Sequence, residues 1–529
     1  MSSKLARSAG VISIATMASR LLGVAREAVL AATFGAGYQM DAFNIAFKIP
    51  NLLRDLFAEG AMTAAFVPTF TRTLSTRGPE AAWRVGSLVI NALVAVTGVL
   101  VVIGIIFAYP ITSTIAPNFA NYAGKLELTT TLTRLMLPFL TTVAVAVAMM
   151  GMLNSLNRFF IPALSPAMFN VATILCAVAL TPVLMGMGYP GIVSLAIGTL
   201  LGGLGQILLQ WPSLRRQGFH YSPVLDFKDP DLREILRLMI PGTLGLAAVQ
   251  INVLVNAYLA TWQEQGAVSW LSFAFRLMYL PIGLFGVSIA TAALPDISRQ
   301  TISEDLTAIR QIVSRALRMM LMLNVPATVG LIVLAEPIVS LVLERGEFTP
   351  YHTTQTAAAL MFYAPGLLGY SAVKIASPTF YSLGNSRIPV MVSMVSVAVN
   401  LTLNLALIRV LGFRGLALGT ALAALVNALL LLWLLGGRLN GLDAGRIFTA
   451  LLKISVASAI MGAAAFYSHA WLVAVLSGRE LFAQLVQVFG AIGIAVVALA
   501  AGARLLRIAE FDDAMRRVLR RLRPAASGS

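Results

Sequence analysis

The segment DAFNIAFKIPNLLRDLFAEG, residues 41–60, decides the fold because it carries five ionisable side chains between uncharged, apolar flanks. In a helix, with successive residues about 100° apart, most of its polar side chains fall on one side. Those residues are Asp41, Asn44, Lys48, Asp55 and Glu59, with Asn51 at the border and Arg54 off that side. In a soluble protein this pattern indicates an ordinary amphipathic helix, so the composition of the whole chain decides how the segment is interpreted.

The composition is that of a membrane protein. The 529 residues are 58% hydrophobic and 11% charged, whereas soluble domains are about 25% charged. Apolar segments long enough to cross a bilayer recur along the chain, and no alternating strand pattern is evident, so we expect membrane-spanning helices. The single cysteine, Cys176, lies inside one such segment, and the three histidines are scattered, so we expect neither a disulfide framework nor a metal site.

We predict an all-α polytopic protein with about fourteen spans. Lys4 and Arg7 precede an apolar run without a convincing cleavage site, so the N-terminus is expected to form the first span. The predicted spans are residues 8–34, 41–71, 85–112, 128–153, 161–186, 190–212, 234–261, 267–297, 317–343, 354–382, 388–411, 414–436, 447–469 and 481–503.

The distribution of basic residues predicts the orientation. With the N-terminus inside, the inner loops and tails hold 26 Lys and Arg residues and the opposite side holds five. Basic residues collect on the cytoplasmic side, so both termini are predicted to be cytoplasmic. This bias also accounts for most of the net charge of +16, so nucleic acid is not an expected partner.

The sequence also contains an internal repeat. Residues 46–48 (AFK) match residues 274–276 (AFR), and residues 63–68 (TAAFVP) match residues 291–295 (TAALP). Two later pairs follow in the same order: residues 155–162 match 382–389, and residues 197–199 match 418–420. We therefore predict two parallel six-span lobes, and the predicted domains are 1–212, a cytoplasmic amphipathic linker 213–233, 234–437, two further spans within 438–507, and a basic cytoplasmic tail 508–529.

Charged residues within the predicted spans need an explanation, because a basic side chain at the bilayer centre costs about 2.5–3.5 kcal/mol. Seven basic residues lie there, namely Arg20, Arg26, Lys48, Arg54, Arg134, Arg276 and Lys374, against the four acids Glu27, Asp41, Asp55 and Glu59. Snorkelling explains Arg134 or Lys374, and ion pairing between the first two spans explains part of the set. The excess favours a cationic cavity for an anionic substrate, and arginine suits phosphate oxygens.

Motifs of energy-coupled or hydrolytic enzymes were not found. No GxxxxGK[ST] phosphate-binding loop and no HExxH sequence occurs, so a transporter without its own ATPase motif is expected rather than an enzyme. A membrane enzyme acting on lipid phosphates is the less favoured class, because its reactive groups would lie in interfacial loops, whereas these charges lie deep in both halves.

Several motifs together resemble the MurJ (MviN) family of bacterial lipid II flippases. They are SRLLGVARE at 19–27, FGAG at 34–37, DAF at 41–43, KIPNLLR at 48–54 and FAEGA at 57–61, followed by NRF at 157–159, GAVSW at 266–270, RLM at 276–278 and GEFT at 346–349. The resemblance covers the first twelve predicted spans in order. It implies the fold of the multidrug/oligosaccharidyl-lipid/polysaccharide exporter superfamily, with two lobes around a cationic cavity and spans 13 and 14 forming a groove for a lipid tail.

The resemblance also implies a function and a site. The substrate would be the undecaprenyl-pyrophosphate-linked peptidoglycan precursor, moved from the inner to the outer leaflet of the cytoplasmic membrane by alternating access. Its headgroup would be bound by Arg20, Arg26, Arg54 and Arg276, with Lys48 and Lys374 as further candidates. Candidate polar or gating partners are Ser19, Glu27, Asp41, Asp55 and Glu59, with Asp41 expected in gating.

The chain departs from parts of the family pattern. Some relatives have acids near the arginine of span 8, where this chain has Phe275 and Tyr279. Asn400, Asn404 and Thr420 match a sodium-binding position of some relatives but are neutral, which favours interhelical hydrogen bonding over a monovalent cation site. No cofactor is expected; Na⁺ or Cl⁻ is a candidate bound ion, the membrane potential is a candidate driving force, and other cell-wall synthesis proteins are candidate partners. An exporter of another polyprenyl-linked glycan or of a drug is the alternative function.

Overall fold

The computed structural model describes residues 3–56, 61–478, 480–513 and 515; within these, the side chains of 3–16, 61, 63, 64, 241, 242 and 244–249 are not described. The described residues form helices and turns without a strand, which confirms the all-helical prediction. The helices are α1 Ser3–Phe34, α2 Tyr38–Arg54, α3 Ala61–Arg77, α4 Pro79–Ile106, α5 Ala108–Ile115, α6 Lys125–Met136, α7 Phe139–Ser155, α8 Phe160–Leu175, α9 Thr181–Gly186, α10 Val193–Arg216, α11 Pro230–Thr261, α12 Ala267–Pro281, α13 Val287–Ile302, α14 Leu306–Val333, α15 Ala335–Leu343, α16 Pro350–Tyr363, α17 Gly366–Ser382, α18 Arg387–Leu411, α19 Phe413–Arg438, α20 Ala444–Val475 and α21 Leu481–Leu505.

Many of these helices suit a membrane. Within the described part of the chain, ten are long and apolar enough to cross a bilayer, or eleven if α16 and α17, bent by 45°, form one span. This confirms a polytopic membrane protein, while the count of fourteen stays a prediction. Three predicted spans, which correspond to α1, α2 with α3, and α11, are not among these helices, and each of them includes residues or side chains outside the described part of the chain. Two of these, α1 and α2, carry most of the charges that the sequence singled out.

The helices group into two compact units. The first contains Met1–Ser269 and Leu343–His352, and the second contains Trp270–Val342 and Thr353–Ser529. Helix α11 therefore groups with the first six predicted spans, and the last two long helices, α20 and α21, belong to the second unit, where α20 packs on α14. The domain boundaries proposed from the sequence repeat stay a prediction.

An aromatic stack forms much of the core of the first unit. Phe66, Phe70 and Trp83 are buried, with ring centroids of neighbours 5.4 and 5.8 Å apart. Phe219, from the segment after α10, extends the stack against Trp83 at 5.5 Å. The Asn91 side chain of α4 then donates to the carbonyl oxygens of Ser222 and Val224, which fixes this part of the linker along α4.

The core of the second unit lies between α14, α17, α19 and α20. Leu317, Phe380, Leu431 and Ile454, one from each of these helices, are almost completely buried. Ile508, just after α21, is 2% exposed and joins the same core. Within a bilayer such contacts are stabilised by van der Waals packing, because lipid tails are as apolar as these side chains.

The repeated motifs occupy corresponding places in the two halves of the chain. Gly198 lies in α10 against α8, where an added Cβ would be 3.0 Å from Thr173 Cα, and Gly419 lies in α19 against Asn404 of α18. Small residues allow helix backbones to approach closely in membrane proteins, so each glycine serves the same packing role. The paired serines of the repeat, Ser155 and Ser382, are the last residues of α7 and α17.

Candidate functional site

The first group of site residues lies on α1. Ser19 accepts a hydrogen bond through its backbone carbonyl from Asn170 Nδ2 of α8, at 3.2 Å, and a Cβ added at Gly23 would lie 3.8 Å from the same nitrogen. The next residue, Arg20, is half-buried, and within the described part of the chain no carboxylate lies within ion-pair distance of it. A partly buried guanidinium in a membrane protein is costly unless an anion or water reaches it.

Arg26 is paired with the acid next to it. Its Nε donates to Glu27 Oε1 at 3.1 Å, Nη2 contacts the same oxygen, and the guanidinium lies over the Phe169 ring of α8 at 5.1 Å. Glu27 is buried, with 7% of its surface exposed. The two charges therefore neutralise each other, and the aromatic face stabilises the cation further.

Arg54, at the end of α2, has a similar arrangement. Its Nε and Nη2 atoms both donate to Asp55 Oδ1, at 3.2 and 2.9 Å. The other oxygen of Asp55 accepts from Gln250 Nε2 of α11 at 3.2 Å, so this carboxylate joins α2 to α11. In both Arg26 and Arg54 an adjacent carboxylate occupies the guanidinium fork that the sequence assigned to an anionic ligand.

The remaining basic candidates are divided between the units. Lys48 is half-buried on α2 in the first unit, whereas Arg276, half-buried on α12, and Lys374, exposed on α17, belong to the second. Beside Arg276, the Phe275 ring contacts three tyrosine rings, those of Tyr279, Tyr363 and Tyr370, with centroids 5.9, 5.5 and 6.1 Å away. Glu59 lies outside the described residues.

Asp41 is the most completely bonded candidate. It is 1% exposed and pairs with Lys125 Nζ at 3.0 Å. The carboxylate also accepts hydrogen bonds from Gly266 N at 2.8 Å, Ser269 N at 3.0 Å and Ser269 Oγ at 2.7 Å. Gly266 and Ser269 lie at the N-terminal end of α12, where backbone N–H groups have no partner within the helix. Asp41 therefore caps α12, although it is more than 200 residues away in the sequence.

Lys125 is a site residue that the sequence analysis missed, because it was counted with an outer loop. Its side chain is 1% exposed and lies among three aromatic rings, with Nζ 4.2 Å from the Phe119 centroid, 5.0 Å from Tyr122 and 5.8 Å from Tyr38. Burial, followed by the charge of Glu127, raises the pKa of the Tyr38 hydroxyl, which donates to the Ala123 carbonyl. The aromatic residues that precede Lys125 are the signal that favours a caged cation.

The segment Leu343–His352 also belongs to the first unit, although the rest of α15 and α16 groups with the second. The Glu347 amide donates to the Ala32 carbonyl at the end of α1, at 2.9 Å. Gly346 and Gly35 approach the opposite backbone so closely that an added Cβ would overlap Ala32 O in one case and lie 2.6 Å from Glu347 O in the other. Both glycines have positive φ, so their identity is required by conformation as well as by space.

Ion pairs surround the start of α11. Arg72 and Arg77 of α3 pair with Glu234 and Asp231, and Arg84 of α4 lies 3.8 Å from Asp229, which also caps α11. These arginines are more than half exposed, so each pair contributes modestly on its own. Together they connect α3 and α4 to α11 at the end of α11 remote from the Asp41 network.

The neutral residues Asn400, Asn404 and Thr420 bond to one another. Asn404 Nδ2 donates to Asn400 Oδ1 at 3.0 Å, and Asn400 Nδ2 contacts Thr420 Oγ1 at 3.4 Å. This arrangement accords with interhelical bonding between α18 and α19, and a monovalent ion at these residues stays a prediction. Across the described residues, no group of three His, Cys, Asp or Glu side chains is placed to hold a metal ion.

Comparison with known proteins identifies the family. The sequence model described as "Lipid II flippase MurJ" matches residues 30–483. The chain is 34% identical over 438 residues to the probable lipid II flippase MurJ of Vibrio cholerae serotype O1, covering 82% of this chain and 83% of the relative.

Solved structures give the same result. The chain is similar to a structure of lipid II flippase MurJ in an inward closed conformation, with a TM-score of 0.76, 28% identity, and coverage of 94% of this chain and 99% of the other. An inward-facing multidrug resistance MATE transporter of the MOP superfamily is 17% identical with a TM-score of 0.68, covering 82% of this chain and 98% of that one, so the fold alone is shared. The family-model match and the relatives show that this chain belongs to the MurJ lipid II flippase family.

Proposed function

We propose that this protein is a lipid II flippase of the bacterial cytoplasmic membrane. It moves the undecaprenyl-pyrophosphate-linked peptidoglycan precursor from the inner to the outer leaflet by alternating access, and it is a transporter rather than an enzyme. The observation that carries the proposal is the family match over residues 30–483, which includes the charged segment of α2. The excess of basic residues on the inner loops supports cytoplasmic N- and C-termini.

The headgroup would be bound by the arginines of both halves of the chain. Arg20, Arg26, Arg54 and Arg276 supply planar donor groups that fit pyrophosphate oxygens, with Lys48 and Lys374 adding charge. Glu27 and Asp55 hold two of these guanidinium groups, and both side chains are anions, as is the pyrophosphate that would replace them. When substrate binds, its pyrophosphate would replace Glu27 and Asp55 as the partner of Arg26 and Arg54. Each guanidinium group would then have an anionic partner throughout the cycle.

Asp41 would act in gating by binding the first turn of α12. Alternating access requires that one end of the transporter open while the other is closed, and the bonds of Asp41 to Lys125, Gly266 and Ser269 would hold one end closed. The membrane potential would favour return of the empty, positively charged site, since each charge that crosses 100 mV is worth about 2.3 kcal/mol.

Drug export is less favoured by the charges. A transporter of cationic drugs needs an acid that is available in its interior. Here the two buried acids on α1 and α2, Glu27 and Asp41, are already paired with Arg26 and Lys125. Export of a different polyprenyl-pyrophosphate glycan shares the same chemistry and is distinguished by the substrate that the test uses.

The test is rescue of growth in bacteria depleted of their own lipid II flippase. The full-length chain is expected to restore growth, and Arg20→Ala or Arg54→Ala is expected to abolish rescue while the protein still reaches the membrane. Arg134→Ala is the matched control, because Arg134 is exposed and bonds to the backbone carbonyl of Ile105. Failure of the unaltered chain to rescue, despite normal amounts in the membrane, would contradict the proposal.

A further inference from the structure

Asp41 has partners on two different helices: Lys125 is on α6, and the other donors are at the start of α12. Lys125 is the first residue of α6, and α6 packs along α2, the helix of Asp41. The other three donors belong to Gly266 and Ser269, at the start of α12. Asp41 therefore bonds both to α6, which packs along its own helix, and to the start of α12.

Lys125 is held in place without the help of α12. The faces of Phe119, Tyr122 and Tyr38 surround its ammonium group, and Tyr38 in turn donates to the carbonyl of Ala123. Cation–π contacts stabilise a desolvated ammonium more strongly than an exposed one. The lysine would thus stay beside Asp41 if the first turn of α12 moved away.

We propose that Lys125 is a positioning residue of the transport cycle, a permanent countercharge for Asp41. In the state described here it holds the carboxylate in place, directed at the N–H groups of Gly266 and Ser269 at the start of α12. When α12 leaves, Lys125 remains as the partner of Asp41, so that the buried carboxylate is not left uncompensated. This inference rests on the proposed function, because it assumes that the bonds between Asp41 and the start of α12 break during transport.

Removal of the Lys125 charge is expected to favour the closed state, although it removes a bond from that state. Without the lysine, Asp41 still has three donors from α12 in the closed state but loses its compensation in the open state. An unpaired buried charge is strongly unfavourable, so removal of the lysine penalises the open state more than the closed one. The closed state should therefore become more populated, and transport should stop because the gate does not open.

The experiment measures opening directly, with the full-length protein in membrane vesicles. Cys176, buried and the single native cysteine, is replaced by alanine, and Ala267→Cys, at a fully buried position in the first turn of α12, is the reporter. A membrane-impermeant maleimide added on the outer side labels the reporter only when this end opens. Lys125→Met is expected to slow labelling by at least about tenfold, the factor that corresponds to loss of a charged hydrogen-bond partner.

Two further variants separate positioning from a structural role. Lys125→Arg keeps the charge and should restore labelling, whereas Lys125→Met with Asp41→Asn removes both charges and should label at least as fast as the parent, even if Lys125→Met alone is poorly folded. Equal or faster labelling of Lys125→Met overturns the proposal, as does slow labelling of the double variant. Because no lipid II is needed, this result is independent of growth rescue, which tests the proposed function itself.

Discussion

Replacement of Gly346 by alanine is expected to destabilise the contact between the segment 343–352 and the end of α1. Gly346 has φ +56°, and its added Cβ would overlap the Ala32 carbonyl oxygen, which also accepts the hydrogen bond of the Glu347 amide. Left-handed backbone costs an alanine about 1–2 kcal/mol, and relief of the overlap costs about 1–3 kcal/mol more. Partial loss of the backbone hydrogen bond adds about 0.5–1.5 kcal/mol, so the total is about 2.5–6.5 kcal/mol.

The matched control is Gly188→Ala. Gly188 lies in the same unit and has φ +81°, but nothing lies within 4 Å of its added Cβ. It therefore carries the backbone cost of about 1–2 kcal/mol without the overlap. Any difference between the two variants reports the close approach of Gly346 to Ala32.

The assay is hydrogen exchange of the purified protein in detergent, read at residues 32–35 and 343–352, together with thermal unfolding. Gly346→Ala should accelerate exchange in both segments and lower the unfolding temperature by more than Gly188→Ala does. If the two variants unfold at the same temperature and both segments remain as protected as in the parent, the backbone contact has no stabilising role and the reasoning is refuted.

Two further contacts lend themselves to paired substitutions. Arg318→Ala leaves Glu510, which is buried, without its cation and should destabilise the segment after α21 by about 1–3 kcal/mol, whereas Arg315→Ala, which removes the exposed pair with Asp513, should cost about 1 kcal/mol or less. Proteolysis of the C-terminal segment measures the difference, and equal cleavage of the two variants would contradict it. Gly419→Ala should overlap Asn404 Oδ1 and lower the unfolding temperature, while Gly437→Ala in the same helix meets open space and should be neutral or stabilising. A Gly419→Ala variant as stable as Gly437→Ala would show that the asparagine pair tolerates a methyl group.

Composition and periodicity were sufficient for the architecture. Long apolar segments predict spanning helices because backbone groups must bond internally in lipid, and the described residues form helices without a strand. Gly198 and Gly419 lie at matching positions of the sequence repeat, and an added Cβ at either would be crowded by a neighbouring helix. Such features are local, so the sequence alone carries them.

Partners distant in sequence were not predictable in the same way. Asp41 was identified as a functional acid, but its bonds reach Lys125, Gly266 and Ser269, and periodicity cannot place those residues beside it. Lys125 was assigned to an outer loop because it lies between the predicted spans 85–112 and 128–153. Its burial depends on three rings that fold around it, which is a tertiary effect.

The pairing of arginines was also only partly foreseen. Ion pairs between the first two spans were expected, yet Arg26 and Arg54 each bond the acid that follows them directly in the chain. Adjacent residues project about 100° apart on a helix, so such pairs form only when the long arginine side chain folds back. Side-chain conformation of this kind depends on neighbours such as Phe169 and Gln250.

The most direct measurement is the orientation of lipid II in cells that depend on this protein. Bacteria depleted of their own flippase and supplied with this chain are treated from outside with an enzyme that cleaves exposed lipid II, and the cleaved fraction is determined. The account predicts cleavage at the level of undepleted cells for the parent and for Arg134→Ala, and at the depleted level for Arg20→Ala and Arg54→Ala. Lipid II that stays protected in cells carrying the parent chain in their membrane, or full cleavage with both arginine variants, would contradict it.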